Sequence, residues 1–143
     1  MDKMPKVGVG CLIIEGGRIL LGKRKGSHGD GQWSDFGGHL EHGETFESCI
    51  KRELKEEIGI EVKNLKMLCV SNVIRGGAHY VDIEFAGKIK SGKPRIVEHE
   101  KIGEIRWFPL NRVPKNLFVP CRLGLKALKT KKMYFSVKGR TGR

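Results

Sequence analysis

Hydrophobic and polar positions change period several times along the chain, and each change marks an element. Val7–Glu15 (VGVGCLIIE) is an apolar run of strand length, Gly16-Gly17 is a turn signal, and Arg18–Arg24 (RILLGKR) is a second apolar run. Two such runs joined by paired glycines predict a β-hairpin. The glycine-rich stretch KGSHGDGQ that follows has no apolar period and reads as a loop. From Thr45 to Ile58 apolar residues recur at helical spacing, Thr45 stands where a cap belongs with Ser48 behind it, and Gly59 follows at the stop position. Val62–Ile74 and Tyr80–Ile89 are β-rich and separated by Arg75-Gly76-Gly77, and Ile105–Phe108 reads as a short last strand. Pro109, Pro114 and Pro120 punctuate a loop ahead of a second helix at Cys121–Lys129. Strands on both sides of one central helix, without regular β-α alternation, predict an α+β fold on a mixed sheet rather than a Rossmann fold.

Composition narrows the class. At 143 residues, 38% hydrophobic and 31% charged, the chain suits one globular domain and is too apolar for a disordered tail. No apolar run approaches the roughly 18 residues of a membrane span, and the opening MDKMPKVGVG has no long apolar leader, so cytoplasmic residence without a membrane partner is expected. Cys11, Cys49, Cys69 and Cys121 are widely spaced with no CxxC pair, which argues for reduced core residues over zinc or disulfides. The net charge is +12, and eleven of the 28 Lys and Arg residues follow Glu104, the last acidic residue. Such asymmetry fits either contact with nucleic acid or a solvated basic helix followed by a frayed tail. No aromatic residues interleave the basic ones in a stacking pattern, which favours the second. Residues 1–130 are thus expected as the domain and 131–143 as a basic tail.

The central helix carries acids where a solvated helix would not. At about 100° per residue, Phe46, Cys49, Ile50 and Leu54 mark its buried stripe; Glu53 and Glu57 fall inside that stripe and Glu56 beside it. Adjacent carboxylates repel one another and resist burial, so the arrangement calls for a cation. Hard oxygen donors clustered this way suit Mg²⁺ or Mn²⁺. Simple helix-favouring composition, with pairs such as Glu47–Lys51, leaves the angular placement unexplained. Arg52 lies off the stripe, where it is free to hold another acid such as Glu44.

Gly38, five residues, Glu44, seven residues and then Arg52-Glu53-Leu54-Lys55-Glu56-Glu57-Ile58-Gly59-Ile60 satisfy every specified position of the Nudix box. The likeness extends to LLGKRKGS and GQW before the box and to Trp107, Pro114 and Leu117-Phe118 after it. The chain therefore resembles a MutT-like Nudix hydrolase, in the branch that hydrolyses nucleoside triphosphates, including oxidised purine nucleotides. That resemblance implies an α/β/α sandwich on a mixed sheet with a loop–helix–loop catalytic motif. It also implies divalent-metal ligation by Glu53, Glu56 and Glu57 with the Gly38 carbonyl, one glutamate serving as base, while Arg52 and Glu44 orient the helix. A further acidic ligand is expected from a later loop, where Glu98 is the first candidate and Glu100 the alternative.

The implied activity is Mg²⁺-dependent hydrolysis of a nucleoside triphosphate to the monophosphate and pyrophosphate. Another nucleoside diphosphate-linked compound, such as a nucleotide sugar or ADP-ribose, and RNA 5′ ends are the alternatives. A binding module that has lost its chemistry is disfavoured by the intact glutamates. The expected partner is a small-molecule nucleotide; nucleic acid is not favoured, and monomer and homodimer both stay open. Phe36 stands before Gly37-Gly38 where many members have Pro, a departure that bears on the substrate rather than on the metal. By the same resemblance Ser34, Asp35 and Asp82 are candidates to read the base, the other reading being plain loop and strand polarity. An acid at a base edge accepts N–H donors, so a purine preference is expected. Lys23 and Arg24 are either phosphate contacts or edge-strand charges. His39 resembles a position near the reacting phosphate, and with His42 it lacks the third soft ligand that zinc needs.

Overall fold

The structure is a computed structural model and describes residues 3–26 and 28–139. In chain order the elements are β1 (Lys6–Glu15), β2 (Arg18–Arg24), β3 (Trp33–Ser34), β4 (Phe36–His39), α1 (Phe46–Ile58), β5 (Glu61–Arg75), β6 (Ala78–Ser91), β7 (Ile102–Pro109), α2 (Val119–Thr130) and β8 (Tyr134–Gly139). The sheet runs β3-β2-β1-β6-β5-β8, with β4 against β1 and β7 against β2. β1 is parallel to β6 and β5 to β8, while the β1–β2 and β5–β6 pairs are antiparallel, so the sheet is mixed as expected. The β1–β2 hairpin turns at Gly16 and Gly17, both at positive φ (55° and 76°) that side chains other than glycine rarely adopt.

Strand alternation sorts the core into two layers. Val9, Cys11 and Ile13 of β1 pack with Cys49, Ile50, Leu54 and Ile58 of α1. Leu12, with Ile19 and Leu21 of β2, packs instead with Cys121, Leu123 and Ala127 of α2. One helix covers each side of the sheet. α1 starts and stops where its end residues dictate: the Thr45 side chain accepts the Ser48 N–H at 3.0 Å, and Gly59 closes it in the left-handed conformation (φ 69°). All four cysteines are free and buried. Among the described residues no helix is long and apolar enough to cross a membrane.

Two expectations need correction. The strand expected at Ile105–Phe108 starts at Ile102 instead, because it pairs with the whole of β2 from Arg18↔Pro109 to Arg24↔Ile102. The stretch expected to fray contains β8, which runs parallel to β5 in register from Val70↔Tyr134 to Arg75↔Gly139. Its alternation turns Phe135 inward, 5% exposed, onto the α2-side core and leaves Tyr134 at 58% in solvent. Residues 140–143 of that stretch, and Ser27 of the glycine-rich loop, lie outside the described residues.

Candidate active site

Helix α1 presents Glu53 and Glu57 one turn apart, each 8% exposed, and the loop between β6 and β7 adds Glu98. The ligand oxygens of these three carboxylates lie within 4.8 Å of one another. The end of α1 places the loop. Its last carbonyls have no partner within the helix, and they accept the Arg95 N–H (onto Ile58, 3.1 Å) and the Val97 N–H (onto Glu57, 2.9 Å). Glu98 is thereby docked beside the carboxylate of the residue whose backbone holds its own loop. On the other side, the Gly37 N–H donates to Glu57 Oε1 at 3.1 Å. A Cβ at Gly38 would overlap the Glu53 carboxylate, so glycine there lets the acid lie against the backbone.

Arg52 organises the rest. Its Nε and Nη2 donate to the two Glu44 oxygens at 2.7 and 2.9 Å, a two-pronged geometry that fixes both side chains, and Nη1 donates to Glu53 Oε1 at 2.7 Å. The Arg52 hydrogen bonds hold the Glu44 carboxyl down to about 2. Burial pushes Glu53 up, a shift that the Arg52 contact opposes. Burial raises Glu57 well above the usual carboxylate range, and repulsion from Glu53 adds to it. Lys101, with Nζ 3.5 Å from Glu98 Oε2, is pulled down by burial, but attraction to Glu98, Glu57 and Glu53 outweighs this and leaves it raised.

Three converging carboxylates, two of them strained toward protonation, are a site short of positive charge. Glu98 Oε1 is moreover buried without a hydrogen-bond partner. Such a donor set fits a hard divalent cation, for which Glu53, Glu57 and Glu98 are the side-chain ligands on hand. Glu56, expected as a ligand, is exposed, lies outside this group and pairs with Arg52 Nη1 at 3.6 Å. Glu100 is outside it too.

Beside the cluster opens a cavity of about 560 Å³. The substrate candidates Lys23, Arg24, Ser34, Asp35, His39 and Asp82 all line it, as do Gly38, Glu53 and Glu57. The Arg24 guanidinium carbon lies 3.8 Å from the centre of the Phe118 ring, its Nε donates to the His28 carbonyl at 2.7 Å, and Lys23 Nζ lies 5.9 Å from the centre of the Trp33 ring. The His39 ring lies against Tyr80 at 5.9 Å. Ser34 donates to Asp35 Oδ1 at 3.2 Å. Lys101 and Glu84 also line the cavity and were not among the sequence candidates. Lys101 carries no local signal, whereas Glu84 was legible: it stands two residues after Asp82 on one strand, hence on the same face.

A carboxylate cluster on a loop–helix–loop, set into a mixed sheet between two helices, defines a class of phosphate-handling folds. The NUDIX domain matches residues 4–125, and the chain belongs to the Nudix hydrolase family. It is 36% identical over 105 residues to the oxidized purine nucleoside triphosphate hydrolase of Mus musculus, an alignment covering 72% of this chain and 65% of the mouse protein. It is 34% identical over 116 residues to the ADP-ribose pyrophosphatase of Methanocaldococcus jannaschii, covering 80% and 68%. The MutT NUDIX hydrolase of Burkholderia pseudomallei shares the fold with a TM-score of 0.84 at 35% identity, covering 87% of this chain and 98% of that one. The chain thus spans just under two thirds of the mouse relative's length.

Proposed function

We propose that the protein hydrolyses a purine nucleoside triphosphate to the monophosphate and pyrophosphate, with Mg²⁺, or Mn²⁺ in its place, held by Glu53, Glu57, Glu98 and the Gly38 carbonyl, and with Glu56 at the exposed edge of the same helical face as a further ligand. The observation that carries this reading is one cavity joining the carboxylate cluster to buried acids suited to a base edge. When bound, the ion neutralises polyphosphate charge and acts as a Lewis acid. Arg52 and Glu44 keep Glu53 and its helix in place, and one carboxylate of the cluster accepts the proton of the attacking water. Lys23, Arg24, Lys101 and His39 offset phosphate charge along the cavity wall. Ser34, Asp35 and Asp82 face the base. The mouse relative, named for oxidized purine nucleoside triphosphates, supports this substrate class.

The test is a substrate panel with Mg²⁺: nucleoside triphosphates with each base, 8-oxo-dGTP, ADP-ribose, a nucleotide sugar and a 5′-triphosphate RNA, with products separated by chromatography. Release of pyrophosphate from a purine triphosphate at the highest catalytic efficiency is the expected result. Faster cleavage of ADP-ribose or the sugar moves the protein to the diphosphate-linked class. Faster, strongly salt-dependent cleavage of RNA assigns the basic C-terminal third to a phosphate backbone.

A further inference from the structure

Glu98 reaches the glutamate cluster on a loop tied down on both sides, and the same loop carries a cation. Its entry is fixed to the last turn of α1 by the Val97 N–H on the Glu57 carbonyl at 2.9 Å. Its exit is fixed to the residue after β2: the Lys25 N–H donates to the Lys101 carbonyl at 2.9 Å, and Lys25 Nζ donates to the His99 carbonyl at 3.2 Å. Between these ties the chain turns back on itself, the N–H groups of Lys101 and Ile102 both donating to the Glu98 carbonyl at 3.1 Å. A turn closed in this way brings its first and fourth residues within reach of each other. Lys101 Nζ accordingly lies 3.5 Å from Glu98 Oε2.

The two oxygens of Glu98 therefore have different surroundings. Oε2 faces the ammonium, while Oε1 is buried without a hydrogen-bond partner. The pull of Lys101 extends past this direct partner: burial raises Glu53 and Glu57, and Lys101 is among the charges that draw both back. The Arg52 guanidinium has other commitments, to Glu44 by two prongs and to Glu53 by a third. The Lys101 side chain is 59% exposed against 22% for Glu98, so its ammonium can withdraw into water without disturbing the core.

We propose that Lys101 is the resident counter-ion of the glutamate cluster, standing in for the divalent cation in the metal-free protein and competing with it for Glu98 when it arrives. The proposal rests on the reading of the cluster as a divalent-cation site and adds what sets its affinity. One ammonium offsets one of three converging carboxylates, which steadies the metal-free fold yet leaves the cluster short of the charge a divalent ion supplies. Two cations drawn to one carboxylate repel each other, so each loosens the other's hold on Glu98 by the same factor. Lys101 thus stabilises the metal-free cluster and weakens its grip on the ion. The ammonium freed by metal binding stays in the cavity wall, where the reading above places the polyphosphate.

Mn²⁺ alone is titrated into the full chain without nucleotide, and free Mn²⁺ is read by electron paramagnetic resonance for wild type, Lys101→Met, Lys101→Arg and Glu57→Gln. Lys101→Met is expected to bind Mn²⁺ more tightly by roughly 5-fold, the low end of such couplings for a half-exposed charge. Lys101→Arg, which keeps the charge, is expected to stay near wild type. Melting separates this role from packing: Lys101→Met is expected to melt below wild type without metal and level with it at saturating Mn²⁺, whereas loss of a purely structural lysine lowers both alike. Unchanged or weaker Mn²⁺ binding by Lys101→Met, or an equal fall in Tm with and without Mn²⁺, overturns the counter-ion role and leaves the metal site standing. Mn²⁺ binding that Glu57→Gln does not weaken overturns the reading of the cluster, and this proposal with it.

Discussion

Removing the Phe135 side chain tests whether strand β8 belongs to the folded domain. Phe135 is 5% exposed and packs in the core that Leu12, Leu68, Cys69, Val73, Leu123 and Ala127 form on the α2 side. Truncating a buried phenylalanine to alanine costs about 3–5 kcal/mol, part lost transfer energy and part cavity. For a domain of this size that lowers Tm by roughly 10–20 °C. Tyr134, the neighbouring residue in the same strand, is 58% exposed and serves as the control. Tyr134→Ala is expected within about 0.5 kcal/mol of wild type. Urea unfolding of both variants and of a chain ending at Thr130 measures the difference. The shortened chain is expected to be less stable than Phe135→Ala, since it also strips β5 of the register from Val70 to Arg75. Turnover per folded molecule is expected to hold, because no β8 residue lines the cavity. A Phe135→Ala variant within about 1 kcal/mol of wild type would show that β8 contributes nothing to the core.

Three further outcomes follow from the site. Glu57→Gln is expected to lower Mg²⁺-dependent turnover by several orders of magnitude while leaving metal-free Tm equal to wild type or higher, since it removes a buried carboxylate repelled by Glu53; near-normal turnover would exclude Glu57 from the site. Arg52→Lys keeps the charge but not the two-pronged contact with Glu44, and a loss of roughly 10- to 100-fold in kcat/KM with unchanged circular dichroism is expected. For pH, Glu84 has a folded value raised above its ordinary 4.5, so its favourable contribution is complete below that point and is lost as pH rises through the raised value. Wild-type Tm without metal is thus expected to fall with rising pH relative to Glu84→Gln, and parallel pH profiles would count against it.

How far each part was legible follows from how local its causes are. Helix α1 was readable to the residue because its cap, apolar stripe and left-handed glycine all lie between Thr45 and Gly59. The β1–β2 hairpin was readable for the same reason, its turn residues being its own. The two-residue strand β3 and the glycine-rich β4 show no apolar period, and they exist through pairing with β2 and β1. β8 has the alternation of a strand, but its basic surroundings read as a tail, and the edge of β5 that receives it lies 64 residues earlier in the chain (Val70 against Tyr134). Glu56 is a different case. Its place in the motif marked it as a ligand, while in the fold the same turn of helix exposes it to solvent and to Arg52.

The glutamate cluster and the acids at 35, 82 and 84 differ in the same way. Glu53 and Glu57 share one helix, and their loop partner Glu98 is tied to that helix's own last turn. Asp35 between β3 and β4 and Asp82 and Glu84 of β6 instead meet beside Gly10 of β1 and Gly124 of α2, a meeting of separate elements that no short motif encodes. Asp82→Ala is accordingly expected to change which nucleotide is turned over fastest while Mg²⁺-dependent hydrolysis persists, and a kcat/KM profile over the nucleotide panel left unchanged by that substitution would remove Asp82 from the residues proposed to face the base.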